Sequence, residues 1–280
     1  MTVSGEHLGG CVVLYRRAAE LDPSDWLDLC EFSSVEAEKE LASMYVPGKD
    51  PLTGEEGYLN RNGYFFDQKG VECMPRHVAF IHATANTEIK ALLNELESTR
   101  DECYTEYMDR YPTAAQCVWW KIKGHTLVYP PGSFLGIHSD LSTDYAYGIP
   151  HPVNQIATRT VVSTLTFLND SVDSPEELDG TNFMGGWVQF PYLDISYQPK
   201  RGDMLVFPSS YSAAHQCGLV EEGTRYSNVG WLCQGTPNGA VGENVLDPVG
   251  EDPERIRTAT NVYLTEPLGK SMADFWSRDS

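Results

Sequence analysis

The chain is short of positive charge. Twenty Lys and Arg stand against forty Asp and Glu, a formal net charge of −20 over 280 residues. A surface of that sign repels phosphate backbones and anionic lipid headgroups, which argues against nucleic acid as a substrate and a membrane surface as a partner. Its first meaning is solubility, and a cationic or zwitterionic small molecule would also suit the field. No run of about 18 apolar residues occurs, so no spanning helix is expected. Met1 to Gly10 lacks the charged-then-apolar pattern of a secretory signal. The seven cysteines (Cys11, Cys30, Cys73, Cys103, Cys117, Cys217, Cys233) are odd in number and scattered, and no Cys-x-x-Cys pair is present. That argues against a structural zinc site or a disulfide framework and favours a reducing, cytoplasmic setting. There is no internal repeat and no low-complexity tract.

What is present suits one large domain, or one domain with an appendage. Hydrophobic residues make up 41% and aromatics 11%, enough for a sizeable core. Residues 1–115 read as a mainly helical support region. Ser24 precedes Trp26, Leu27, Leu29 and Cys30, and Ser33-Ser34-Val35-Glu36 has the form of a capping box opening a second short helix. Residues 47–76, rich in Gly, Asn and Asp, read as loop or irregular strand. From about Thr84 to Tyr111 the spacing of Ile89, Leu92, Leu93 and Leu96 predicts a helix, closed by Pro112.

Over residues 116–235 the texture changes to short strands with Gly and Pro between them. Cys117–Lys123, His125–Tyr129, Thr158–Leu168, Trp187–Phe190, Asp203–Phe207 and Arg225–Cys233 are the candidate strands, a pattern of sandwiches and barrels. Helices first and strands second give an α+β class, with the helices packed on one face of a jelly roll. Residues 236–280 are a polar, Pro/Gly-rich extension and a candidate lid, with a short helix expected near Lys270 to Trp276.

Three residues in the strand-rich region carry metal chemistry: His138, Asp140 and His215. His138 and Asp140 are two apart, so on a strand both side chains project to one side. Two imidazoles and a carboxylate can hold one face of a mononuclear Fe(II), leaving the other open for a bidentate co-substrate and O₂. Ten residues after His215 comes Arg225, whose guanidinium can grip a carboxylate bidentately. Each element has a bland alternative, a surface His-Asp pair or a structural histidine. Their order along the chain makes oxidation of an unactivated C–H bond with 2-oxoglutarate the sharper reading.

The surrounding motifs resemble a known family. Thr126-Leu127-Val128-Tyr129-Pro130-Pro131-Gly132-Ser133-Phe134, leading into His138, resembles the Tyr-x-x-Gly … His-x-Asp entry of the prolyl 4-hydroxylase-like Fe(II)/2-oxoglutarate dioxygenases. Gly185-Gly186-Trp187-Val188-Gln189-Phe190 is similar to that family's Gly-Gly-x-x-x-Phe strand. Pro199 to Phe207 is similar to its Pro-x-x-Gly-x-x-x-x-Phe strand, and Gly223-Thr224-Arg225-Tyr226-Ser227 to its distal co-substrate strand. The resemblance covers roughly residues 120–233. It implies a double-stranded β-helix, Fe(II) held by His138, Asp140 and His215, and 2-oxoglutarate anchored by Arg225. Tyr129 and Ser227 would be further co-substrate contacts, with Thr164 or Thr166 lining the same pocket. O₂ would be consumed, with ascorbate a candidate reductant.

Two departures refine the resemblance. Phe167 falls where the family often has tyrosine, so one hydrogen bond to the co-substrate would be missing. Collagen-type prolyl hydroxylases carry lysine where this chain has Arg225, which points toward the small-molecule and non-collagen branches. Related halogenases carry Gly or Ala where this chain has Asp140, so its carboxylate favours hydroxylation or desaturation. The expected reaction is hydroxylation of an aliphatic carbon of a small molecule, an amino acid or a secondary-metabolite intermediate, with release of succinate and CO₂. A peptide hydroxylase, a zinc hydrolase on the same ligands and a non-enzymatic cupin-like protein are the alternatives. A homodimer stays open, and substrate choice is expected in Gly54–Phe66, Ser142–Gln155 and the C-terminal segment.

Overall fold

The computed structural model describes residues 4–50, 52–60, 65–66, 77–79, 81–118, 120–141, 160–233 and 263–267. Among the described residues, two of four sheets build the body of the protein. The main sheet has eight strands in the order β1 (Glu6–Gly9), β2 (Val12–Tyr15), β14 (Met204–Pro208), β9 (Thr160–Phe167), β17 (Arg225–Cys233), β7 (Trp120–Tyr129) and β18 (Tyr263–Pro267), with β6 (His77–Ala79) also paired to β7. The second sheet runs β13 (Ile195–Tyr197), β12 (Val188–Phe190), β15 (His215–Cys217), β8 (Leu135–His138). Every pairing within these two sheets is antiparallel. Two three-stranded sheets complete the set: β10 (Ser171–Val172), β11 (Phe183–Gly185) and β16 (Val220–Gly223), then β3 (Tyr45–Lys49), β4 (Glu56–Asn60) and β5 (Phe65–Phe66). The architecture is a jelly roll with helices on one outer face.

Side-chain alternation explains why the main sheet is buried on both faces. Val12 and Leu14, Leu165 and Phe167, and Leu205 and Phe207 point inward, joining Val188, Phe190 and Cys217 of the second sheet in one core. Their strand neighbours Val13 and Tyr15, Val162, and Met204 and Val206 point outward, against Cys103, Tyr104, Tyr107 and Met108. The near-continuous apolar runs of β2 and β14 follow from this, since a strand covered on both faces has no solvent side to make polar.

The outer cover is helical. Helix α1 (Pro23–Met44) starts on a proline, whose fixed φ suits the first helical position. It buries Trp26, Leu29, Cys30, Ser33 and Ala37. This corrects the expectation of two short helices split at Ser33. The 3.6-residue period runs unbroken through Ser33, which faces the core rather than capping a new start. Helix α2 (Thr87–Arg110) is capped by Asn86, whose side chain accepts from the amides of Glu88 and Ile89. Pro112 ends it and opens the four-residue helix α3 (Pro112–Ala115).

The N-terminal region is less helical than its composition suggested. β1, β2 and β6 belong to the main sheet, so residues 1–115 help build the jelly roll as well as cover it. Two four-residue strands joined through a left-handed Cys11 carry too little periodicity to reveal themselves. The expected residue 270–276 helix and the Ser142–Gln155 segment lie outside the described residues, as does most of 236–280.

Candidate active site

The second sheet brings the three metal-type residues together. β15 and β8 pair so that His215 stands opposite His138, with an irregularity just beyond, between His215 and Cys217. Asp140 follows two residues after the end of β8. One donor atom from each of His138, Asp140 and His215 lies within 4.8 Å of the others. Asp140 Oδ1 is 3.5 Å from His138 Nε2 and 3.8 Å from His215 Nε2. The two imidazole centroids are 4.3 Å apart.

Hydrogen bonds orient both rings. His138 Nδ1 lies 2.9 Å from the Gly136 carbonyl and His215 Nδ1 lies 3.2 Å from the Ala213 carbonyl. A carbonyl only accepts, so each Nδ1 carries a proton toward its carbonyl, and each Nε2 is the ring nitrogen turned toward Asp140. Phe207 and Phe190 wall His215, at ring separations of 4.7 and 5.6 Å. That burial pushes the His215 imidazole down to about 4, so it is neutral and able to donate its lone pair at neutral pH. Burial alone would raise the Asp140 carboxyl, but its contacts with His138 and His215 outweigh that and hold it well below the usual carboxylate range. Two imidazoles and one carboxylate with convergent atoms fit a divalent iron ion.

A second cluster lies one strand step away. Cys217, two residues after His215, faces the same core, about 7 Å along the strand. Its Sγ accepts from Arg225 Nη1 at 2.8 Å. Arg225 is 1% exposed, and its guanidinium carbon sits 4.8 Å from the Tyr129 ring and 5.7 Å from the Phe167 ring. The register of β17 explains this: Arg225 stands opposite Tyr129 on β7, while Ser227 stands opposite Leu127 on β7 and Phe167 on β9. Arg225 Nε and Ser227 Oγ are buried without a hydrogen-bond partner. An unmet donor on a buried guanidinium costs free energy that an anionic ligand would recover.

The Gly185-Gly186 pair serves this cluster. Gly186 has φ of +60°, and a Cβ there would lie 3.0 Å from Arg225 Cδ and 2.9 Å from Phe183. Only glycine lets the chain pass so close beneath the arginine.

Thr164 and Thr166 do not line this cluster, which corrects that expectation. Both point from β9 to the helical side: Thr164 donates to Tyr104 Oη at 2.5 Å, and Thr166 accepts from Arg100 Nη2 at 3.3 Å. The residues of that strand that reach the inner core are Leu165 and Phe167. Strand alternation required one parity to face inward, and the threonines belong to the other.

Two contacts were not foreseen. Cys217 touches the arginine, and Trp231 Nε1 donates to Asp140 Oδ2 at 2.9 Å. Counting in twos would have put Cys217, two beyond His215, and Trp231, six beyond Arg225, on the inner face, but it does not name their partners.

A jelly roll that gathers two histidines and an aspartate beside a buried arginine defines a mononuclear-metal oxygenase type of site. Residues 124–233 match the family described as the 2OG-Fe(II) oxygenase superfamily. That segment, under half of the chain, carries the likeness to the superfamily, and with it the features of a dioxygenase that uses Fe(II), 2-oxoglutarate and O₂. The matched segment coincides with the region of motif resemblance.

Solved structures similar in fold include three prolyl hydroxylases. The viral collagen prolyl hydroxylase of Paramecium Bursaria Chlorella virus-1 shares 12% identity, covering 80% of this chain and 96% of that chain, with a TM-score of 0.44. A Pseudomonas putida prolyl-4-hydroxylase shares 15%, covering 81% and 94%, at 0.43. A Trichoplax adhaerens prolyl hydroxylase, in complex with a hypoxia inducible factor oxygen degradation domain peptide fragment, shares 14%, covering 80% and 84%, at 0.45. No curated protein matches the chain.

Proposed function

We propose that His138, Asp140 and His215 hold Fe(II), and that Arg225 pairs with the distal carboxylate of 2-oxoglutarate. Tyr129 and Ser227 complete the co-substrate site in this reading. The observation that carries it is a juxtaposition: three convergent donors stand one strand step from a buried guanidinium and a buried hydroxyl that have unmet hydrogen bonds. A five-carbon keto diacid spans such a step, with its keto acid end at the donors and its far carboxylate at Arg225. Fe(II) with 2-oxoglutarate and O₂ supplies the oxidising power for C–H hydroxylation, and the co-substrate leaves as succinate and CO₂.

The protein residues do the positioning. The Gly136 and Ala213 carbonyls keep the Nε2 lone pairs convergent. Tyr129 and Phe167 hold the guanidinium plane from its sides. Phe167 offers no hydroxyl, so co-substrate recognition falls more heavily on Arg225 and Ser227.

The substrate in this reading is a small molecule, an amino acid or a secondary-metabolite intermediate, hydroxylated at an aliphatic carbon in the cytoplasm. Arginine rather than lysine at the anchor and the strongly acidic surface support it. The described residues contain no helix long and apolar enough to cross a membrane. The test is a succinate-release screen of free amino acids and other small zwitterions against proline-containing peptides, with mass spectrometry of product formed under ¹⁸O₂. Small-molecule turnover with one ¹⁸O incorporated is the expected result. Turnover of peptides alone overturns the substrate class, and oxidation without consumption of 2-oxoglutarate overturns the whole assignment.

A further inference from the structure

The environment of Asp140 is more constrained than that of a surface carboxylate. Its backbone is tied on both sides. The Thr160 hydroxyl donates to the Asp140 carbonyl at 2.9 Å, and the Leu141 amide donates to the Ser209 carbonyl at 2.9 Å. These contacts place the Cα but leave the carboxylate free to rotate about its last bond. Its two oxygens are chemically equivalent, so either one, or both, could face a bound cation. Its contacts break that equivalence: Trp231 Nε1 donates to Oδ2 at 2.9 Å and the Ser163 hydroxyl also reaches the carboxylate, while Oδ1 faces the two imidazoles. Trp231 is itself held, packed at the edge of the inner core and tilted against His125 at a ring separation of 5.5 Å.

We infer that Trp231 is a positioning residue that makes Asp140 a one-oxygen ligand. The inference rests on the assignment of His138, Asp140 and His215 as the iron ligands. Its consequence follows from counting coordination positions. A six-coordinate ion held by two imidazoles and one carboxylate oxygen keeps three positions, two for the keto acid and one for O₂. A carboxylate turned to bind through both oxygens takes one of those three. The indole N–H prevents this by occupying Oδ2, and it fixes the orientation of Oδ1 before the metal arrives. Partners of this kind, one bond removed from a metal, are typically worth roughly 10- to 100-fold in metal affinity.

The test replaces Trp231 with phenylalanine, which keeps an aromatic ring beside His125 but removes the N–H. A closer isostere, 3-benzothienylalanine introduced at position 231, keeps the bicyclic shape and removes only the donor. Metal-free protein is titrated anaerobically with Fe(II) at saturating 2-oxoglutarate, following the visible charge-transfer band. The melting temperature of the metal-free protein and the KM for 2-oxoglutarate at saturating Fe(II) are measured alongside. Both variants should bind Fe(II) roughly 10- to 100-fold more weakly. The isostere should keep the wild-type metal-free melting temperature, and both variants the wild-type KM for 2-oxoglutarate, because Arg225 is untouched. Wild-type Fe(II) affinity in the isostere variant overturns the inference while leaving the iron assignment standing. Weaker Fe(II) binding by the isostere with an equally destabilised metal-free protein also overturns it, since Trp231 would then be a packing residue. A wild-type protein that shows no charge-transfer band overturns the iron assignment itself, and the inference with it.

Discussion

Replacing Arg225 with lysine tests the co-substrate site with the charge preserved. The arginine is almost fully buried, flanked by Tyr129 at 4.8 Å and Phe167 at 5.7 Å, with Nη1 on Cys217 Sγ at 2.8 Å. Its planar fork can give a carboxylate two parallel N–H bonds, while a lysine ammonium gives one point contact from a flexible stem. The variant therefore loses one charge-assisted hydrogen bond, worth about 1.5–3 kcal/mol. At about 1.4 kcal/mol per factor of ten, that is a roughly 10- to 100-fold rise in the KM for 2-oxoglutarate. The assay varies 2-oxoglutarate at saturating Fe(II) and prime substrate and follows succinate. The KM for the prime substrate should change little, because Arg225 lies within the inner core. An unchanged KM for 2-oxoglutarate, or an equal rise in both constants, would refute the reasoning.

Three further outcomes follow from the same geometry. His138→Ala and His215→Ala should each lose bound Fe(II) and product formation while keeping the wild-type far-UV circular dichroism, because each removes one of the three donors that converge among the described residues. Gly186→Ala should raise the KM for 2-oxoglutarate and cost about 1–3 kcal/mol in denaturant unfolding, since the new methyl is strained at φ +60° and presses on Arg225 Cδ. Arg100→Met should cost about 3–5 kcal/mol, because it removes the buried cation beside Glu97, leaving Lys121 as its ion-pair partner, and takes away the donor to Asn228 Oδ1. Burial opposes ionisation of Glu97, but Arg100 and Lys121 outweigh it and hold its carboxyl well below the ordinary 4.5. Its contribution to stability is thus present above about pH 4.5 and is lost as pH falls toward the folded value. The variant should show a shallower acid limb in urea titrations across that range.

Local chemistry was easier to read than strand parity. His138 and Asp140 were legible as a pair because two-residue spacing on a strand is unambiguous about sidedness. Placing Thr164 and Thr166 was harder, since an eight-residue β-branched strand buried on both faces shows no polar alternation to say which face is which. The answer lay in residues far away in sequence, Tyr104 and Arg100 on α2, which supply those threonines with partners. Ser33 misled for a related reason. A capping-box pattern is local, whereas the continuous buried stripe of Trp26, Leu29, Ser33 and Ala37 is set by packing against the sheet. Trp231 was missed because its partner, Asp140, stands 91 residues earlier, and only the fold brings the two together.

The most direct test of the iron and co-substrate assignment is a crystal structure of the protein grown anaerobically with Fe(II) and 2-oxoglutarate, with anomalous diffraction measured at the iron edge. The account predicts one iron peak in coordinating contact with His138 Nε2, Asp140 Oδ1 and His215 Nε2, and the distal carboxylate of 2-oxoglutarate on the guanidinium of Arg225. An iron peak on any other ligand set, or a co-substrate carboxylate held away from Arg225, would contradict it.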